Sequence, residues 1–401
     1  MGAIYALEYL RHQGEAGGRL KSTILVMVGN YLPGVRSGGP LRSISNMVDA
    51  LGDEFEFRVI TRDREQPDQP YAEVTPDRWM RVGKASVFYF SPENLRFRAL
   101  FGLLSEQHAD FLYLNSFFSH TFSIMPLFAR EMGARAQAQV ILAPRGEFSP
   151  GALVQSRRKK QAYLSLATRF PAYRRLIWHA STQHEEQDIR NVFGPGALVR
   201  TALPLSDPDP SNERDECPHK DRGSIKIVFL GRIVPKKNLL YAIRILNGLP
   251  GDIDFSIVGP VENHSYWKEC EAEIQKLPRN IRIRLTAGVD HDAVAGVFAR
   301  HHVFLFPTLG ENYGHVIYEA LNAGRPVIVS DQTPWRNLAG ANAGFDLPLE
   351  ASERFRRAIE HYLAMDDTAF RQSVRDAKAF VRKFTAEADP VGATRALFSR
   401  E

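Results

Sequence analysis

Cysteine is scarce: the 401 residues hold two, Cys217 and Cys270. That excludes a disulfide-stapled secreted module and fits a reducing compartment. Neither cysteine belongs to a C-x-x-C pair or to a nucleophile–base constellation. Long apolar runs are missing too, since nothing approaches the ~18 residues that a membrane-spanning helix needs. Residues 1–23 carry Glu8, Arg11, Glu15, Arg19 and Lys21 without a clean apolar centre, so they read as a poorly ordered leader or an over-long gene start rather than a signal peptide. Charge is nearly balanced: 51 Lys and Arg against 46 Asp and Glu leave +5. Nucleic-acid binding is not expected, because no recognition module or aromatic platform accompanies the basic residues. The P-loop, H-E-x-x-H and G-x-S-x-G patterns are also absent, which argues against an NTPase, a zinc peptidase and an α/β-hydrolase.

The length suits two domains of roughly 150–200 residues each. The run ILVMVG at residues 24–29 is nearly all apolar and ends in glycine, as a strand covered on both faces does. Further strands are expected at 55–61, 86–90, 111–115, 139–143 and 176–181, with helical spacing between several of them. The stretch 201–224, rich in Pro, Asp and Ser, reads as a linker. Alternation restarts with IKIVFL at 225–230 and continues through strands at 253–258, 281–286, 303–307 and 327–330. Only helical spacing follows from 350 onward. The expected organisation is a leader (1–23), a Rossmann-like domain (24–204), a linker (205–224), a second Rossmann-like domain (225–370) and a helix (371–401) packing back on the first domain. The fold class is α/β, with two doubly wound halves facing across a cleft and a helical tail. Ligands in such folds sit beyond the carboxyl ends of the strands.

Two segments of the second half carry chemistry. In FLFPTLGENYGHVIYEALNAGRPVIVS (304–330) a strand leads through a glycine-containing loop into a helix, which Gly324 caps before the next strand. Gly314 lets a ligand approach the backbone, and the helix start at His315 and Val316 offers N–H groups to an anion. Glu311 and Glu319 lie beside that anion site, where a polyhydroxylated ligand would give them hydrogen bonds to accept. The second segment, GRIVPKKN (231–238), places Arg232 and Lys237 on a loop leaving a strand, where two cations can neutralise a diphosphate. An ordinary basic surface loop would look the same.

Together these segments resemble the retaining glycosyltransferases of family 4, which have the two-domain GT-B architecture. The match rests on E-x7-E from Glu311 to Glu319, the following AGRPVIVS, and GR with a lysine five residues after the arginine. The resemblance implies that Arg232 and Lys237 hold the donor diphosphate, Glu311 contacts the donor sugar and Glu319 binds the ribose. Asn312 and Asn238 stand where glycine is usual. With Gly39, Gly314, His315 and Val316 these residues make the expected donor site, taking a nucleotide sugar as substrate and needing no cofactor. No Asp-x-Asp pair suited to a metal-bound diphosphate appears, so metal independence is expected.

The first half offers weaker signals. Gly38-Gly39 precedes a helix, as a plain turn also would, and is similar to the family's glycine loop. DFLYLNSFF (110–118) resembles a family strand that often ends in a histidine near the reacting sugar. Here Asn115 takes that position, and an amide cannot serve as a general base. His120 is expected either to occupy the same space or to be a helix-end histidine without a catalytic duty. APRGE (143–147) makes Arg145 a candidate for phosphate or acceptor and Glu147 one for acceptor hydroxyls, the alternative being a turn salt bridge. Thr182-x-x-Glu185 reads as a capping box, and His301-His302 lacks further ligands at metal spacing.

Residues 157–175 hold seven cations and no acid: Arg157, Arg158, Lys159, Lys160, Arg169, Arg174 and Arg175, interleaved with Tyr163, Leu164, Leu166, Phe170 and Tyr173. Such a stretch can lie on an anionic bilayer or be a solvated helix face. The expectation is a cytoplasmic transferase, peripheral on the inner face of the plasma membrane, moving a sugar from a UDP- or GDP-sugar to a glycan or lipid-linked acceptor in bacterial surface polysaccharide assembly. A nucleotide-sugar 2-epimerase and a degenerate, non-catalytic partner are the alternatives, since a fold alone does not fix a function.

Overall fold

Short aliphatic runs build two separate sheets in the computed structural model, which describes residues 21–34, 38–65, 69–134, 137–149, 152–153, 157–206 and 217–400. The expected leader up to residue 20 and linker residues 207–216 lie outside these segments, as does the side chain of Arg157. The first half contributes β1 (Thr23–Met27), β2 (Glu56–Arg62), β3 (Trp79–Val82), β4 (Ala85–Phe90), β5 (Phe111–Asn115), β6 (Gln139–Ala143), β7 (Ile177–Ala180) and β8 (Val199–Thr201). Their spatial order is β3-β4-β2-β1-β5-β6-β7-β8. Every pairing is parallel except that of β3 with β4. The second half contributes β9 (Ser224–Leu230), β10 (Asp252–Val258), β11 (Ile281–Thr286), β12 (Val303–Phe306), β13 (Val327–Ser330) and β14 (Gly344–Leu347). They form a wholly parallel sheet in the order β11-β10-β9-β12-β13-β14.

Period-two alternation divides each central strand between two cores. Ile24 and Val26 of β1 face one side with Ile44, Val48 and Val59, while Leu25 and Met27 face the other with Ile60 and Phe122. Each such side chain contributes roughly 1.5–3 kcal/mol by leaving water. The three strands absent from the sequence reading, β3, β8 and β14, are short edge or half-exposed strands with weak apolar alternation.

The order of both sheets fixes where ligands can sit. β1 lies between β2 and β5, and β9 lies between β10 and β12, so the winding reverses at these two strands. Their carboxyl ends open crevices. The glycine loop after β1, the Asn115 loop after β5 and the loops after β9 and β12 leave strands at or beside them, whereas APRGE leaves β6, one strand further out.

The second half begins inside the expected linker of 205–224, at Lys220. The buried Lys220 ammonium donates to the carbonyls of Asp221, Leu363 and Met365, and burial pushes its pKa down to about 8. At the other end of the chain, two helices occupy the place of the single one expected over 371–401. Asp367–Ala388 buries Phe370, Val374, Ala377 and Val381 on the second half. The chain then turns at Asp389, φ 36°, just before Pro390. The short helix Pro390–Leu397 crosses to the first half, where Phe398 meets Phe55, Phe57, Phe111 and Tyr113 edge to face. Arg395 forks onto Glu54 at 2.6 and 2.8 Å, and Arg200 Nη1 donates to the carbonyls of Ala396, Leu397 and Ser399.

Candidate active site

The loops leaving β9 and β12 are stitched into one unit. Leu309 N donates to Lys236 O at 2.9 Å, and Asn238 Nδ2 donates to Pro307 O at 2.9 Å. Asn238 is left-handed, φ 58°, a conformation that Asn tolerates and in which its side chain adds this staple. The stitching brings Lys237 Nζ to 2.6 Å from Glu311 Oε1, with Thr308 Oγ1 donating to the same oxygen at 3.0 Å. The ammonium also stands 5.3 Å from the centre of the Phe306 ring. Both partners are nearly covered, with side-chain exposures of 16% and 12%. Arg232 differs: it is exposed and 3.2 Å from Glu262.

Gly314 starts the helix His315–Asn322 in a left-handed turn, φ 80°, and a Cβ there would approach Ile317 Cδ1 to 3.0 Å. Gly314 O takes the N–H groups of Ile317 and Tyr318. The earlier N–H groups of His315 and Val316 belong to the part of a helix that needs outside partners. Lys237 and this helix start thus flank Glu311 with positive potential, Arg232 lies on the same loop as Lys237, and Glu311 presents acceptor oxygens there. The arrangement suits an anion bearing hydroxyl groups.

In the first half, Arg145 is held rather than free. It sits at φ 58°, and its Nε and Nη2 donate to Asn115 Oδ1 at 3.1 and 2.8 Å. Nη2 also donates to Tyr113 Oη at 3.0 Å. The Tyr113 hydroxyl donates onward to His179 Nδ1 at 2.7 Å, and His179 Nε2 donates to Ala202 O at 3.0 Å. That chain needs a neutral imidazole, and burial pushes His179 down to about 3. Asn115 is therefore a buried anchor for Arg145, and Nη1 of Arg145 has no hydrogen-bond partner among the described residues.

Glu147 does not face the cleft as an open acceptor site. Its Oε1 accepts from Ser116 Oγ at 2.5 Å and its Oε2 from Phe118 N at 3.0 Å, holding the turn after β5. His120 is not brought to Asn115 either. It is exposed on a π-type turn (His120–Ile124) and lines an apolar groove with Leu95, Phe97, Ile124, Met125 and Phe128. Glu185 does more than the expected capping: its carboxylate accepts from Ser181 N at 2.7 Å and from Gly146 N at 2.6 Å, tying two cleft loops together. His301 and His302 are held by Val297, Ser256, Lys226 and His219, which satisfies them as structural residues.

The two halves meet across these loops. Glu319 forms an ion pair with Arg42, and His291 Nδ1 is 3.8 Å from the same carboxylate. Burial raises Glu319 to about 7 against the pull of Arg42. His315 Nε2 lies 3.1 Å from Ser43 Oγ, whose proton goes to Gly39 O at 2.9 Å. His315 Nε2 therefore carries a hydrogen, and burial followed by Arg42 and Arg145 keeps the ring neutral, down to about 3. Gly39 passes close by: a Cβ on it would be 3.3 Å from His315 Cδ2. Asn312 Nδ2 donates to Ser181 Oγ at 3.0 Å, and a Cβ on Gly146 would come within 2.9 Å of Asn312 Cβ. Arg42, Ser43, Tyr113, His179 and Ser181 gave no motif signal because each acts across a distance in sequence.

Of the seven basic residues in 157–175, Lys160 turns inward, with Nζ 2.6 Å from Ala152 O and 5.2 Å from the Phe118 ring centre. Arg158, Lys159, Arg174 and Arg175 are exposed, as is Leu166 at 69%. Tyr163 and Tyr173 share a hydrogen bond and pack on Phe117. Among the described residues no helix is long and apolar enough to cross a membrane.

Comparison with known proteins bears on this site directly. The family described as "Glycosyl transferases group 1" matches residues 212–378, the segment holding Arg232, Lys237, Glu311 and Glu319. The GPI3 subunit of phosphatidylinositol N-acetylglucosaminyltransferase from Saccharomyces cerevisiae (strain YJM789) is 24% identical over 162 residues. That match spans 39% of this chain and 35% of the yeast protein's own length. Sucrose-phosphate synthase from Thermosynechococcus elongatus superposes with a TM-score of 0.70 at 15% identity, covering 94% of this chain and 99% of its own. Anabaena HepE in complex with UDP and glucose superposes at 0.66 and 16% identity, covering 94% and 98%. The fold is the two-domain GT-B architecture, and its second half carries the region that matches the group 1 glycosyl transferases.

Proposed function

We propose that this chain is a family 4 enzyme that moves a sugar from a nucleoside-diphosphate sugar, UDP- or GDP-linked, to a glycan or lipid-linked acceptor. Transfer proceeds with retention at the anomeric carbon and without a metal ion. The observation that carries the reading is the Lys237–Glu311 pair, 2.6 Å apart, on two stitched loops beside the helix start at Gly314. As the sugar–phosphate bond breaks, negative charge grows on the departing diphosphate. Lys237, Arg232 and the N–H groups of His315 and Val316 stabilise that charge most in the transition state. Glu311 accepts from hydroxyls of the donor sugar. Glu319 accepts from ribose hydroxyls after Arg42 swings away, so donor entry is coupled to loosening of the contact between the halves.

The acceptor meets the first half, where Arg145 keeps one guanidinium nitrogen open. A lipid-linked acceptor fits the exposed Arg158, Lys159, Arg174 and Arg175 beside Leu166 and Phe170, a surface suited to an anionic inner leaflet. The similar yeast protein is by name a phosphatidylinositol glycosyltransferase, which supports the same class. The step belongs to bacterial surface polysaccharide assembly in this reading. The test is incubation with UDP-glucose, UDP-N-acetylglucosamine or GDP-mannose and a bacterial lipid extract, with and without EDTA. The expected result is an EDTA-insensitive transfer into the lipid fraction whose product keeps the donor's anomeric configuration by NMR. Inversion, or loss of transfer on chelation, would overturn the mechanism.

A further inference from the structure

We propose that Arg62 forms an anion subsite for the acceptor, in the crevice at the carboxyl ends of β1, β2 and β5. This rests on the reading of the chain as an acceptor-using transferase. Arg62 is the last residue of β2, and β2 pairs with β1 at the point where the winding of the first sheet reverses. The carboxyl edge of that sheet faces the second half, because Ser43 of the helix after β1 (Gly39–Leu51), with Gly146 and Ser181 from loops on this edge, lies against His315 or Asn312.

The surroundings of the guanidinium are unusual for a structural arginine. It lies over the Phe122 ring, 4.9 Å from its centre. Its Nη1 is 3.5 Å from Gly29 O, the long limit of a hydrogen bond. Its Nε is buried without a hydrogen-bond partner among the described residues. Among the described residues no carboxylate pairs with it, and burial alone moves its pKa, downward. Other partly covered arginines of this half are committed: Arg42 to Glu319, Arg58 to Glu56, Arg145 to Asn115 and Tyr113. Residue 29 is also glycine, and a Cβ there would come within 3.2 Å of Arg62 Nη1. Next to it in sequence, Asn30 Oδ1 is buried and has no hydrogen-bond partner among the described residues, an acceptor suited to a hydroxyl.

A planar fork with unfilled donors and no counter-charge among the described residues is complementary to a phosphate or carboxylate group. The Phe122 face fixes the plane of the fork, so the ligand is met by oriented donors rather than by a mobile cation. The site is separate from the cations assigned to the donor, which lie on the loop after β9. It is also separate from Arg145, which leaves β6. The chemical class is thus an acceptor that bears an anionic group near its reacting hydroxyl.

The test titrates glycerol 3-phosphate, glycerate and glycerol into the full-length chain by calorimetry, with and without saturating nucleoside diphosphate. Wild type should bind glycerol 3-phosphate or glycerate, and not glycerol, with the donor site filled. Arg62→Gln should weaken that binding by about ten-fold or more, and Arg62→Lys by less, because it keeps charge but loses the fork. Nucleotide affinity should be the same in all three proteins, which also shows that the variants are folded. Equal anion binding by wild type and Arg62→Gln would overturn the proposal, as would no binding of either anion to a wild type that binds nucleotide. Arg62-dependent anion binding in a chain that binds no nucleotide would instead overturn the acceptor assignment and the transferase reading beneath it.

Discussion

Replacing Lys237 by methionine isolates the interaction on which the donor site depends. The substitution keeps an apolar side chain of similar length and removes the ammonium, 2.6 Å from Glu311 Oε1 and 5.3 Å from the Phe306 ring centre, leaving that oxygen with Thr308 Oγ1 alone. Breaking a fully buried pair by removing one partner costs about 3–5 kcal/mol, because the other charge is stranded. Exposures of 16% and 12% mean that some water reaches this pair. The cost is therefore reduced to about 2–3 kcal/mol. For a domain of 150–250 residues that is a fall of about 4–12 °C in the unfolding temperature of the second half. Glu311→Gln added to Lys237→Met removes the stranded charge and should recover about half of the loss or more, a coupling of about 1–3 kcal/mol. Calorimetric unfolding without ligand reads both. Activity does not follow stability: the double variant should remain at least ~100-fold slow, because the charge proposed to stabilise the departing diphosphate is still missing. Additive effects of the two substitutions on unfolding would refute the pairing, and activity that recovers with stability would refute its role.

The other expectations concern the first half, the contact between the halves, and the tail. Tyr113→Phe strips a partner from both Arg145 Nη2 and His179 Nδ1. It should cost about 1–3 kcal/mol and lower kcat while donor KM holds; unchanged kcat would show that Arg145 needs no such support. Glu319 is raised from 4.5 to about 7 in the fold, so between these values the folded chain binds more protons than the unfolded one. Its contribution to stability is therefore greatest below pH 4.5 and declines as pH rises to about 7. The Glu319→Gln protein should gain in unfolding temperature relative to wild type across that window, and parallel pH curves would contradict the shift. Phe398 is 4% exposed and packs against four rings of the first half, so Phe398→Ala should cost about 3–5 kcal/mol. Proteolysis should then cut near Asp389 before the rest of the chain, whereas an unchanged digestion pattern would show the tail to be held by other contacts.

Central strands were legible because burial on both faces makes them almost purely aliphatic, as TILVM and IKIVFL are. β3 was not, since WMRV is an antiparallel edge strand with exposed positions, and β14 begins at a glycine and contains an aspartate. Pro390 held the signal for the break in the tail, because proline cannot continue a helix and sits well at the first turn of the next. The two loops proposed to hold the donor were readable as contiguous motifs. Asn238 needed the structure to explain it: a left-handed turn that accepts Asn, with a side chain that staples the neighbouring loop. Arg42, Ser43 and Arg62 gave no signal, because a helix face or a strand end acquires its partner only when the chain closes on itself. Glu147 misled for the opposite reason, since a carboxylate after a strand serves equally well to hold a turn.

The most direct test of the donor site is thermal unfolding with UDP, GDP and ADP, on wild type, Glu319→Ala and Arg232→Ala. One nucleotide at ~100 times its dissociation constant should add about 2.7 kcal/mol to wild type, an easily seen rise. Both variants should lose that rise while remaining folded. Stabilisation by a nucleotide that survives in both variants would place it elsewhere, and no response of wild type to any of the three would contradict the donor site built on Lys237, Glu311 and the helix start at Gly314.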